Sequence, residues 1–104
     1  MAEQILFEAL SKLGIKVRVT HRHWQLIVEQ KHPAIKGREK EIVETISDPL
    51  EIRRSRKDPA VYLYYRKVRK YFYCVVVRHL NGDGFIITAY LTKNIKEGAR
   101  IWKK

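Results

Sequence analysis

The chain has one cysteine, Cys74, so it can close no disulfide of its own and offers no cysteine pair to a metal. Cys74 lies in the apolar run YFYCVVV, where a buried, reduced thiol is expected rather than a nucleophile. A reduced thiol fits a cytoplasmic compartment. No apolar run approaches the roughly 18–20 residues that cross a bilayer, so no membrane segment is expected. The opening MAEQILFEAL sets acids within its apolar stretch and has no basic leader, which argues against a signal peptide. The five glycines are scattered and build no phosphate-cradling loop. There is no HExxH and no acidic cluster, and His21 and His23, two apart, do not share a helical face. Neither a metal nor another cofactor is expected. Ser11, Ser47 and Ser55 sit in no recognisable nucleophile elbow.

What is abundant is positive charge. Lys and Arg number 22 against 11 acids, a net +11 on 104 residues. Such an excess creates a positive potential that attracts polyanions, nucleic acid first and an acidic protein second; charge alone does not separate RNA from DNA. With 45% apolar residues the chain can build a core, and residues 1–104 read as one domain.

Residues 3–13 admit two readings. Ile5, Leu6, Ala9, Leu10 and Leu13 follow helical spacing with Gly14 as a stop, or a strand from Ile5 to Glu8 turns back into Ile15–Val19. Thr20 is a candidate N-cap for a helix over 21–31 with Trp24, Ile27 and Val28 on one side. His32-Pro33 ends it, because the residue before proline is pushed out of the α region. A second helix is expected over 38–47, stopped by Asp48-Pro49. Strands are expected over 50–55, 61–67, 71–80 and 85–92, with a hairpin turn in Asn81-Gly82-Asp83-Gly84. The tail 93–104 reads as a helical turn or irregular segment that docks Ile101 and Trp102. Two helices followed by strands predict an α+β domain: an antiparallel four- to five-stranded meander with two helices packed on one face.

Period-two alternation then sorts the sheet, given an even-length hairpin loop. Phe72, Cys74, Val76, Leu80, Phe85, Ile87, Ala89 and Leu91 fall on one nearly apolar face, expected beneath the helices with Leu63 and Tyr65. The other face collects Arg53, Tyr62, Tyr64, Arg66, Tyr73, Thr88, Tyr90 and Thr92. That surface is either an ordinary solvated face or a shallow groove for RNA, in which phenol rings stack bases and guanidinium groups fork onto phosphate.

The residue types suit metal-free RNA cleavage. Attack of a 2′-hydroxyl on its own phosphate needs a base, cations for the developing charge and an acid for the leaving oxygen. His32 is the preferred histidine, since it ends a helix beside a basic loop and can reach over a sheet edge; the alternative is that it caps the helix or faces water. Arg53 and Arg54 begin the basic run Arg53-Arg54-Ser55-Arg56-Lys57, and Arg53 is placed on the Tyr-rich face to touch phosphate. Lys36, Arg38 and Lys40 form either an RNA-attracting rim or a solvated helix start.

The segments VTHRHWQLIVEQKHP, ETISDPLEIRRS, VYLYYR and VVVRHLNGDGFIITAYLTKNIKEG, with Trp102, resemble small members of the Barnase–EndoU–colicin–RelE-like nuclease superfamily over residues 19–102. The resemblance implies an α+β fold and metal-independent RNA cleavage, often by a toxin that an acidic antitoxin neutralises. It implies a helix-derived histidine with basic and hydroxyl groups on the sheet: His32, Arg53, Arg66, Tyr64, Thr88 and Tyr90 here. It also favours the N-terminal strand over the helix. One departure is that some relatives carry a histidine two residues after the tryptophan, where this chain has Leu26, which puts catalysis itself in question. A non-catalytic RNA-binding module and a protein-interaction domain are the competing expectations.

Overall fold

The structure is a computed structural model that describes residues 4–104. It is an α+β fold in which a single mixed sheet carries its helices on one face. The strands are β1 (Ile5–Leu10), β2 (Lys16–Thr20), β3 (Glu51–Arg54), β4 (Val61–Val68), β5 (Tyr71–Leu80), β6 (Asp83–Thr92) and β7 (Ala99–Lys103), and the helices are α1 (His21–Leu26) and α2 (Glu39–Ser47). The sheet order is β1-β2-β6-β5-β4-β3-β7.

The expected four- to five-stranded antiparallel meander is present as β3 to β6, but it is extended at both edges. The N-terminal hairpin β1–β2 docks β2 parallel to β6, with Lys16, Val17 and Arg18 opposite Asp83, Gly84 and Phe85. The tail is a strand and not a helical turn: β7 pairs antiparallel with β3, and Trp102 packs against the core. Seven strands therefore replace the expected four or five among the described residues, and one pairing is parallel. The physical reason is edge pairing. The tail has no strong periodicity of its own, but the unpaired edge of β3 supplies it with backbone partners.

The hairpin turn between β5 and β6 forms as its residues dictate. Asn81 and Gly82 take positive φ (47° and 88°) between the paired Leu80 and Asp83, the conformation that a two-residue primed turn needs. Arg69 and Lys70 join the paired Val68 and Tyr71.

Two features overturn the expected sorting of faces. A β-bulge interrupts β6: Val77 pairs with Ile86, but Val76 pairs with Thr88, so Ile87 is the extra residue. Alternation inverts there. Thr88, Tyr90 and Thr92 follow Phe85 onto one face, and Ala89 joins Ile86 on the other. The helices moreover cover the opposite side from the one expected. Tyr64, Tyr73, Val75, Val77, Ile86 and Ala89 are buried with Ile27, Ile35, Ile42 and Ile46 in the main core. Both faces of β5 are apolar, so alternation along that strand cannot choose between them. Leu63, Tyr65 and Cys74 form a second, smaller core on the far face, covered in part by Ile95. Residues 93–98, which connect β6 to β7 at the opposite side of the sheet, cross that face to do so.

Candidate functional site

α1 begins on Thr20, whose hydroxyl accepts from the His23 backbone N–H at 3.1 Å. It does not run on as an α-helix to residue 31. Ile27–Lys31 widens into a π turn, closed by the His32 N–H donating to the Ile27 carbonyl five residues back at 2.7 Å. Pro33 bars His32 from the α region, and His32 sits at φ −138°, ψ 74°. Together these place its ring at the outer edge of β6, 5.4 Å from the ring centre of Tyr90.

His32 thereby reaches a cleft of about 760 Å³ on the sheet face that the helices leave uncovered. The floor holds Leu63, Val76, Thr88 and Tyr90, and the walls bring Arg56, Lys57, Lys96 and Glu97. The Thr88 hydroxyl oxygen is buried on that floor without a hydrogen-bond partner, an unsatisfied group of the kind that a ligand would complete. Tyr90 is held protonated: burial pushes its phenol above the ordinary range, aided by the neighbouring Cys74. Burial likewise pushes the Cys74 thiol up to about 12, so this buried cysteine is inert.

The structure thus brings together His32, Thr88 and Tyr90, with Thr92 at the adjoining end of the face, where its hydroxyl donates to the Asn94 carbonyl at 3.1 Å. It does not bring in the others. Tyr64 is fully buried on the helix side, its phenol 3.0 Å from Nε2 of His79 and pushed up to about 12 by burial. Arg66 lies on that same side, paired to Asp48 at 3.2 Å and to Glu44 at 3.6 Å. Arg53 shares the cleft's face, yet its Nε donates to the buried Glu51 carboxylate at 2.6 Å and its Nη1 to the Gly98 carbonyl at 3.2 Å. It pins the crossing segment rather than presenting itself to solvent.

Tyr62 and Tyr73 are on the helix side as well, Tyr62 stacked on His79 at 3.8 Å. Arg54 lies over the Tyr62 ring and donates to the Pro59 carbonyl at 2.7 Å. Lys36 closes the 3-10 turn Pro33–Ile35, and Arg38 and Lys40 stand at the start of α2; none of the three lines the cleft, and Arg38 pairs with Glu41 at 3.5 Å. The single Tyr-rich surface expected from alternation does not exist; its phenols are divided between the two faces. Lys96 and Glu97 were missed as site residues, because only the crossing of segment 93–98 over the sheet carries them there.

Among the described residues no group of three or more His, Cys, Asp or Glu is placed to hold a metal ion. No described helix is long and apolar enough to cross a membrane. No protein-family model, curated protein or solved structure matches this chain.

Proposed function

We propose that the cleft binds single-stranded RNA and cleaves it without a metal ion, through attack of a 2′-hydroxyl on the adjacent phosphate. The observation that carries this is the placement of His32 over Tyr90, beside the orphan Thr88 hydroxyl, in a cleft walled by Arg56, Lys57 and Lys96. Imidazole both takes and gives a proton at neutral pH. Glu97 is the acidic side chain on the same wall. His32 and Glu97 divide the two proton transfers, one removing the 2′ proton and the other protonating the leaving 5′-oxygen. The three cations stabilise the extra charge on phosphorus, and the protonated Tyr90 and the Thr88 hydroxyl orient the phosphate.

Incubation of the pure protein with a short labelled RNA and with its 2′-deoxy analogue tests this. The expected result is a 2′,3′-cyclic phosphate product from the first alone, unaffected by EDTA. A second reading, an RNA-binding module without cleavage, is favoured by one observation: Arg53 is held by the buried Glu51 carboxylate and the Gly98 carbonyl, and Arg66 lies on the helix side of the sheet, so neither meets a phosphate in the cleft. Salt-sensitive binding of RNA without any product would establish that reading instead.

A further inference from the structure

We propose that Phe85 is a stacking platform for a base of single-stranded RNA, and that Arg18 and Arg78 hold the phosphates beside it. The identity of the ligand rests on the RNA reading above; the platform is a separate place on the same face.

Three adjacent strands place these side chains in one row. Arg18 of β2 pairs with Phe85 of β6, which pairs with Arg78 of β5. Their neighbours Val17, Val19, Val77 and Ile86 are buried against the helices, so the row points to the other face, where the cleft lies. Phe85 is 40% exposed. A large aromatic ring partly open to solvent, with an arginine paired to it on each neighbouring strand, suits a flat, anionic ligand. A slot of about 310 Å³ opens beside the ring, lined by Ile5, Arg18, Thr20 and His23. Leu10, Leu80 and Ile101 are also exposed; none of them is a ring with an arginine opposite it on each side.

Both arginines already hold a carboxylate, Arg18 to Asp83 at 3.6 Å and Arg78 to Asp58 at 2.8 Å. The Arg18 pair is solvent-exposed and the Arg78 pair part-buried; each contact uses one of the guanidinium nitrogens, which leaves other N–H donors for phosphate. From Phe85 the open face of β6 continues through Thr88 to Tyr90, four positions of the paired strand β5 or roughly 13 Å along the sheet. A bound strand that stacks on Phe85 is therefore led toward His32.

The test is binding of a fluorescein-labelled 2′-O-methyl RNA of about eight nucleotides, read by anisotropy, beside cleavage of an unmodified dinucleotide. Phe85→Ala is expected to weaken binding of the longer strand roughly 5- to 100-fold, to leave dinucleotide cleavage unchanged and to melt like the parent. Phe85→Leu keeps the apolar bulk without the π-face and is expected to lose binding similarly, whereas Phe85→Trp retains it. Arg18→Ala is expected to flatten the slope of log affinity against log salt by about 0.7. Parent-like affinity in both Phe85→Ala and Phe85→Leu overturns the platform and leaves the cleft reading intact. A parent protein that neither binds the longer strand nor cleaves the dinucleotide overturns the RNA reading, and the platform with it.

Discussion

His23 donates its Nε2–H to the carbonyl oxygen of Ile87 at 2.8 Å. Ile87 is the extra residue of the β6 bulge, so a side chain from the first turn of α1 secures the irregularity that decides which way the rest of β6 faces. The carbonyl can only accept, which fixes the tautomer of His23. Removing this donor leaves a partly buried carbonyl without its partner. His23→Ala should cost about 1–2 kcal/mol in urea unfolding, with His23→Gln recovering part of it. An unchanged unfolding midpoint in His23→Ala would show that the bulge stands without the contact.

His32→Ala tests the cleft directly. The side chain lies over Tyr90 at the sheet edge and lines the cleft. Cleavage should fall by about 10²–10⁴ while the melting temperature stays near that of the parent. Tyr64→Phe is the matching control: that phenol meets His79 on the other side of the sheet, so cleavage should persist. Loss of cleavage in both variants at equal stability would place the chemistry elsewhere.

Arg53→Ala should act on stability. It strands the Glu51 carboxylate, buried and held at 2.6 Å, at a cost of about 3–5 kcal/mol. Adding Glu51→Gln removes the stranded charge and should restore much of the loss. Thermal melts of the single and double variants decide this; an Arg53→Ala protein as stable as its parent would return Arg53 to the list of free phosphate contacts.

Acid should weaken the fold through His79. Burial holds its imidazole down to about 4, whereas the unfolded chain protonates near 6.5. As pH falls through that window the unfolded state takes up the proton first, so this contribution is complete above about 6.5 and declines toward about 4. The ring is only half-buried, so the loss, discounted for solvent, is about 1–2 kcal/mol. Urea midpoints at neutral and acid pH should show this extra drop in the parent and not in His79→Gln. Equal drops in both would assign the acid sensitivity to other groups.

Gly98→Ala should destabilise the crossing segment. Gly98 has φ +83°, and a Cβ there would stand 2.8 Å from the Arg54 carbonyl oxygen and 3.0 Å from the Cβ of Arg53. Left-handed strain alone costs about 1–3 kcal/mol, and the backbone contact adds to it. Because the same segment carries Lys96 and Glu97 to the cleft, RNA cleavage should fall with stability. A Gly98→Ala protein that melts like its parent would refute the close approach.

Much of the fold was legible in the residues. The Thr20 cap, the Pro33 and Pro49 stops and the Asn81-Gly82 turn act within a few positions of themselves, and each is found where local chemistry puts it. The expectation that His32 would pass over a sheet edge also matches its position beside Tyr90. The faces were not legible. A single inserted residue at Ile87 inverts alternation beyond it, and no local feature of FIITAY announces a bulge. Tyr62, Tyr64 and Tyr73 read as a binding surface because tyrosine suits both an RNA groove and a buried strand; here they lie under the helices.

Charge, helix ends and turns follow from the sequence by itself, because composition and short-range backbone preference determine them. The location of the cleft was decided only by tertiary structure. It requires β2 to dock along β6, the π turn to swing His32 outward, and residues 93–98 to cross the sheet under the anchor of Arg53. The docking and the crossing bring together positions far apart in the chain, and the groups that meet carry no periodic mark of the partner they find.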